Sequence, residues 1–565
     1  MLRSFRPPPA PKDDGFLSKE RVVFRPNAAD GMWAGANLLV SALRPTLGPL
    51  SRTVLAERNT GRHLSPDALG DGGTVARRII ALSNPDADVG AMLLRHALCR
   101  VHERAGDGVA TTAVLFQAIM QRARRILAAG GNPMRLRDGI MRAAQIVAEE
   151  LGRQAQPLPE DDATVLRAWL RAHCDDLALA EAMATITTSF APDVHIHVEN
   201  GAGVSIEYEF IRGALWRSGW HGSPFAAGES AANLMLRLPG AYVLVSDLDL
   251  SDEAHLEPLI LTLARLRPAR LLVICRRVSP QMLALFVQAR QKGIGDAVFV
   301  KPPATSGPDR VAVLTDAAIL TGATFIPYIE TRDGTTSVFR LADLLPGCLG
   351  RANVAWASEH FFGIEDGCGD RAAQIAHLAK LDAAREDEDD PVRMRFYRDR
   401  MATFGSGVVR LKVGAHTSAE RAHRKAQAER LAGLLSQVRR HGVISGGGVA
   451  LVRCERSLRQ AAGRAKDDVR LGVECVLEAL AAPARAIAAN AGLNGAAIVQ
   501  RIRTLHRGWG IDVRTGQPVN FYQAGILDST YALQTAVLTA ASAAATFVTT
   551  DVIVHRRQRE AAIRP

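Results

Sequence analysis

The chain has 565 residues, more than one hydrophobic core normally serves, so two to four domains are expected. Its 47% hydrophobic content is that of an ordinary globular chain, and no stretch offers ~18 uninterrupted apolar residues, which argues against a membrane span. The net charge of +11 raises the question of nucleic acid, but the arginines are scattered and aromatics make up only 5%, so no stacking platform is visible and nucleic acid is not an expected partner.

Residues 1–24 carry Pro and Arg but no apolar stretch of signal-peptide length, so a loose tail is expected, with 1–20 its flexible part. Helical periodicity dominates up to about residue 153. Leu94, Leu98 and Val101 mark one helix, Leu115, Ile119 and Ile126 a second that stops at Gly130-Gly131-Asn132-Pro133, and Ile140 to Leu151 a third. The middle changes character. Apolar runs at 242–245, 271–274 and 297–300 alternate with helical stretches at 255–266 and 282–290, which predicts an α/β layer with parallel strands. An acidic run, Glu386 to Asp390, reads as a solvated loop. From about 441 the pattern is helical again, at 473–486 and at 532–548, where alanines near Ala540 suit close helix packing. Helix-rich ends around an α/β middle imply a discontinuous domain in which the two ends fold together. The basic segment 553–565 is expected to be a second tail.

Cysteines stand at 99, 174, 275, 348, 368, 454 and 475, widely spaced and without a Cys-x-x-Cys pair. That argues against a disulfide framework or a zinc site and fits a reducing cytoplasm, with most of them buried as small hydrophobes.

The most informative segment is Ala105-Gly106-Asp107-Gly108-Val109-Ala110-Thr111-Thr112, a glycine turn running into a helix. Backbone N–H groups and the positive end of the helix dipole suit phosphate, and a carboxylate suits the magnesium that accompanies it. Four more segments accompany it in order: Thr46-Leu47-Gly48-Pro49, Asp71-Gly72-Gly73-Thr74-Val75-Ala76-Arg77, Gly446-Gly447-Gly448-Val449-Ala450-Leu451 and Gly525-Ile526-Leu527-Asp528. Together they resemble the GroEL-type (group I) chaperonins over nearly the whole chain, with Gly131-Asn132-Pro133-Met134 and Lys412-Val413-Gly414-Ala415 adding to the match.

The resemblance implies a mainly α fold with α/β, a GroEL-like three-domain chaperonin subunit. An equatorial domain would comprise 21–153 and 441–552, a hinge-like intermediate domain 154–205 and 409–440, and an apical client-binding domain 206–408. It also implies ATP and Mg2+. Asp107 would hold the metal, Gly108 and Thr111 would face the phosphates, and Thr46, Leu47, Gly48 and Pro49 would line the nucleotide. Gly447 would pack on the ribose, Asp528 would take its hydroxyls, and Asp71 falls on an active-site aspartate. Adenine would lie near Asp512, Val513 and Arg514, where the family's Asn-Ala-Ala is absent.

Three departures bear on hydrolysis. Val109 and Ala110 replace two threonines, each a lost hydrogen bond to a charged group worth ~1.5–3 kcal/mol. Gly70 replaces a lysine. Arg430 stands where the family carries its catalytic aspartate, and a guanidinium cannot orient the attacking water as a carboxylate does. Glu429 is adjacent but points about 100° away on a helix. Weak or absent hydrolysis with surviving ATP binding is therefore expected.

For client binding the resemblance points to an apolar strip on helices 255–266 and 279–290, with Leu259, Ile260, Leu283 and Val287 as contacts and Phe286 beside them. Glu257 and Gln288 intrude on it, and Ala214, Leu215, Trp216 and Trp220 replace aromatic client contacts of the family upstream. The implied function is a folding or assembly factor specialised for particular clients. An ordinary ATP-dependent foldase and an ATP-independent holdase or scaffold that joins a housekeeping chaperonin are the alternatives. Expected partners are unfolded or assembling proteins, a co-chaperonin, and further copies in a homo-oligomeric ring or a hetero-oligomer, in the cytoplasm.

Overall fold

Helix starts follow the capping chemistry of the sequence. Asn84, Asn132 and Asn494 sit in extended backbone and accept the N–H groups two and three residues ahead, opening helices Pro85–Ala105, Pro133–Gln154 and Gly495–Thr504. Proline in the first turn of the first two costs nothing, since that N–H has no helical partner. The computed structural model describes residues 21–56, 67–69, 72–158, 160, 162–174, 176–190, 194–223, 235–250, 255–303, 306–328, 341–388, 390–405 and 407–555. The expected 1–20 tail, Gly70 and Asp71 lie outside these. The chain divides into two units, residues 1–173 with 433–565 and residues 174–432. The two ends of the chain do fold together.

The first unit is helical. Helices Asn27–Leu43, Pro85–Ala105, Val109–Ala128, Pro133–Gln154, Asp467–Ala479 and Thr530–Thr549 contribute to one core. Leu115, Ile119 and Ile126 face that core as their spacing predicts. Gly139 and Gly472 let two helices touch backbone to backbone: a Cβ on Gly139 would come within 2.1 Å of the Val469 carbonyl oxygen. Ala536, Ala540 and Ala544 are fully buried on Thr530–Thr549, where small side chains allow the same closeness. That helix is long and apolar enough to cross a membrane by length and composition alone, yet most of it is buried in this core.

Two expectations for this unit are corrected. The stretch 473–486 is two helices, Asp467–Ala479 and Ala482–Asn490, because Pro483 in the first turn of the second has no N–H to continue the first. Residues 553–555 are not tail. Val552–His555 pairs antiparallel with Arg21–Phe24, Val23 opposite Ile553, so the first and last described segments form one ribbon; residues 556–565 lie outside the described set.

The second unit is α/β. Strands Tyr242–Val245, Arg270–Ile274 and Asp296–Val300 run parallel, in the places where the apolar runs predict them. Helices Leu256–Arg265 and Pro280–Gln291 lie between them in sequence. Strands Gly350–Ala357, Phe362–Gly367, Ala214–Trp216 and Leu236–Pro239 extend the sheet antiparallel to seven strands. A second sheet orders His195–Asn200, Gly407–Val413 and Ile206–Arg212. Of the acidic run, Glu386 ends helix Arg371–Glu386, Asp387 and Glu388 follow it, Asp389 lies outside the described residues, and Asp390 caps helix Pro391–Ala402 by accepting the Val392 N–H at 3.0 Å. The segments expected as a separate hinge divide between the two units, at 173/174 and again inside helix Ser418–His441. Six of the seven thiols are buried and Cys368 is exposed.

Candidate functional site

Helix Pro85–Ala105 ends on Gly106 and helix Val109–Ala128 begins on Gly108, both glycines in the left-handed region at φ 67° and 89°. A side chain at either position would be strained, so the sharp reversal depends on glycine. The turn leaves the Asp107 carboxylate 39% exposed, and its Oδ1 accepts the Gly108 N–H at 2.7 Å. The N–H groups opening helix Val109–Ala128 have no carbonyl behind them, the electrostatic signature of an anion seat.

The other predicted segments of this unit converge on the turn. Thr46 closes helix Asn27–Leu43 by donating its hydroxyl to the Leu43 carbonyl at 2.7 Å. A Cβ on Gly72 would lie 3.2 Å from Thr46 Oγ1 and 3.6 Å from the Ala110 Cβ, so the Thr46 loop, the start of helix Gly72–Arg78 and the start of helix Val109–Ala128 meet. Gly48, at φ 98°, rests on Ile487, while Pro49 is exposed. Strand Val443–Ser445 pairs antiparallel with Leu527–Ser529, placing Ile444 opposite Asp528. The chain then turns through Gly447 and Gly448, both with positive φ, with Gly447 beside the Phe521 ring. The Asp528 carboxylate lies against Gly446, where a Cβ would come within 2.9 Å of it.

Asp528 is the electrostatically unusual member. It is half-buried, and its side chain makes no hydrogen bond or ion pair with another described residue. Burial, with the Asp107 charge adding to it, pushes its carboxyl up to about 7. The Asp107 charge thus reaches the Asp528 carboxyl. No cluster of three or more His, Cys, Asp or Glu able to hold a metal occurs among the described residues, so a metal here would complete its shell from a bound ligand and water.

Several supports were not legible in sequence. Asn490 donates to the carbonyls of Arg44 and Leu47 at 2.9 and 2.8 Å, fixing the Thr46–Pro49 loop from more than four hundred residues away. His173 Nε2 stands 3.8 Å from Asp107 Oδ2. Its Nδ1 faces the Trp169 carbonyl at 2.9 Å and, since a carbonyl only accepts, carries the proton there. Trp169 Nε1 donates to the Leu527 carbonyl at 3.1 Å, pinning the strand that carries Asp528. Leu47, Ala110, Val114, Ala486 and Ile487 form one apolar cluster with Val513 against it. Asp512 is occupied locally: its carboxylate accepts the Arg514 N–H at 2.9 Å to close the turn after strand Trp509–Asp512. Thr111 is half-buried, whereas Val109 and Ala110 are buried in apolar clusters and bring no hydroxyl to the helix start.

The model of the TCP-1/cpn60 chaperonin family matches residues 39–209 and 252–558. The chain belongs to that family. Among solved structures, it is similar to the chaperonin gp146 from the bacteriophage EL 2 (Pseudomonas aeruginosa), determined in presence of ATP-BeFx. The two crystal forms of that protein give TM-scores of 0.66 and 0.60 at 17% identity, over 95% of this chain and 99% of the other. At that identity the likeness establishes the chaperonin fold.

In the second unit, Arg430 lies half-buried on helix Ser418–His441. Its neighbour Glu429 is engaged by Arg395 at 2.9 Å and Lys425 at 3.9 Å. The expected client strip is corrected at Leu259. Leu259 is fully buried and Phe286 nearly so, both in the core beneath the parallel strands. Ile260, Leu283 and Val287 are half-buried, and the first two pack on that core. The large apolar side chains these helices expose are Leu261 and Leu285, at 46% and 37%. Ala214, Trp216 and Trp220 fill the core of the seven-stranded sheet.

Proposed function

We propose that this chaperonin-family chain is a folding or assembly factor for particular client proteins that binds Mg2+-ATP at the Gly106–Gly108 turn and hydrolyses it slowly or not at all. The observation that carries the reading is the meeting of the Thr46 loop, the start of helix Gly72–Arg78 and the open N-terminus of helix Val109–Ala128, beside the exposed Asp107 carboxylate. A magnesium ion would neutralise phosphate charge there. Asp107 is exposed enough to hold it, the helix-start N–H groups would donate to phosphate, and Asp528 would accept hydroxyl donors. Leu47, Ile487 and Val513 supply an apolar wall for a base.

Slow turnover follows from what the residues lack. Val109 and Ala110 offer no hydroxyl, Arg430 offers no carboxylate, and Glu429 is held by two cations. Ring assembly, with copies of itself or with another chaperonin, is supported by the terminal ribbon, whose Val22, Phe24, Val552 and Val554 are all exposed. Light scattering should give a mass many times 60.7 kDa, and a stable monomer would refute assembly.

Binding and turnover measured on one purified preparation test the nucleotide reading. ATP binding should require Mg2+ and be lost in Asp107→Ala. Turnover should be low and rise in Arg430→Asp combined with Val109→Thr and Ala110→Thr, since a water-orienting group contributes ~10²–10⁴-fold. Absence of Mg2+-dependent binding, or rapid hydrolysis by the unmodified protein, would overturn it.

A further inference from the structure

Farther along helix Val109–Ala128 the first unit holds a polar cavity. It has a volume of ≈ 200 Å³ and lies between that helix, the end of helix Asp467–Ala479 and helix Ala482–Asn490. Arg44, Arg122, Arg125 and Arg485 line it, and Glu478 is its one acidic wall. Four guanidiniums against one carboxylate give the lining an excess of positive charge. The carboxylate present serves poorly: Glu478 Oε1 is 3.5 Å from Arg122 Nε, beyond the 2.7–2.9 Å of a good charge-assisted hydrogen bond. That Nε is buried and has no hydrogen-bond partner. An arginine nitrogen withdrawn from water and left unbonded costs stability, which an oxyanion would recover.

We propose that this cavity binds a small multivalent oxyanion of the phosphate class, separately from the Gly106–Gly108 turn. Guanidinium forks suit the oxygens of a phosphate, and three arginines in excess of the one acid match an anion of two or three charges. The cavity begins at Val114, about 9 Å along the helix from Gly108, and its Arg122 lies about 21 Å along at 1.5 Å per residue, so an anion held by the arginines does not reach the turn. Gln117, which also lines the cavity, is fixed by donating to Asn37 Oδ1 at 2.7 Å, so part of the wall is preorganised. The proposal does not depend on ATP binding at the turn.

The test is calorimetric titration of the full-length assembly with inorganic pyrophosphate in EDTA, which removes any metal-dependent contribution from Asp107. One pyrophosphate per chain should bind, more weakly as NaCl rises. Arg125→Ala with Arg485→Ala should weaken it at least tenfold, and Asp107→Ala should leave it unchanged. Arg125 and Arg485 are exposed, and the single Arg485→Gln, with circular dichroism as a check on folding, guards against a misfolded double variant. Failure to bind, binding that survives the arginine substitutions, or loss in Asp107→Ala would each overturn the proposal. Binding that appears only after the oligomer dissociates would also overturn it, by showing that a neighbouring copy's carboxylate fills the cavity.

Discussion

Replacing Asp528 by asparagine should stabilise the nucleotide-free protein at alkaline pH and leave it nearly unchanged at acid pH. The Asp528 carboxyl is pushed up to about 7, chiefly by burial and further by the Asp107 charge. Between about pH 4, the ordinary carboxylate value, and pH 7 the folded chain keeps a proton that the unfolded chain has released. Stability therefore falls as pH rises through that window and levels off above it. A rise of about three pH units corresponds to ~4 kcal/mol, at ~1.4 kcal/mol for each. The half-buried side chain keeps some water, so screening reduces this to about 2 kcal/mol. An asparagine side chain in its place has nothing to ionise. Urea midpoints of wild type and Asp528→Asn, followed by tryptophan fluorescence at one protomer concentration from pH 5 to 8, should diverge as pH rises. The divergence should shrink in Asp107→Ala, which removes the second cause. A variant equally destabilised at every pH would refute the argument, because it would show the carboxylate making bonds that asparagine cannot replace.

Asn490→Ala removes two hydrogen bonds that hold the Thr46–Pro49 loop, worth ~1–3 kcal/mol together, so amide exchange at residues 44–50 should quicken and ATP affinity should fall; unchanged exchange would refute the anchor. If clients dock on the exposed Leu261 and Leu285, Leu285→Glu and Leu261→Glu should abolish suppression of client aggregation while shifting stability by no more than ~0.5 kcal/mol, and unchanged suppression would refute that docking face. Leu259→Ala should instead cost ~2–5 kcal/mol of stability, being fully buried, and a silent Leu259→Ala would show that it does not lie in the core.

Local chemistry made much of this fold legible. The turn at Gly106–Gly108 requires positive φ, which glycine alone adopts without strain, and the Asn132-Pro133 pair caps and opens a helix unaided. The parallel strands at 242–245, 270–274 and 296–300 announce themselves as short apolar runs because both faces of the sheet are covered. Periodicity also marks an apolar face on helix Leu256–Arg265. It does not say which residues of that face meet the sheet, and so Leu259, read as a client contact, is core while Leu261 is exposed.

The sequence by itself determined the helices, the parallel strands, the phosphate-type turn and the family, since each depends on residues within a few positions of one another or on ordered motifs. Only the tertiary structure decided that Asn490 holds the Leu47 loop, that His173 stands by Asp107, that Arg21–Phe24 and Val552–His555 pair as a ribbon, and that the Asp528 carboxylate lies against Gly446. Those partners lie tens to hundreds of residues apart. A contact at such separation leaves no periodicity in the chain, and it forms only when the burial of many other side chains has met the entropy of closing the loop between them.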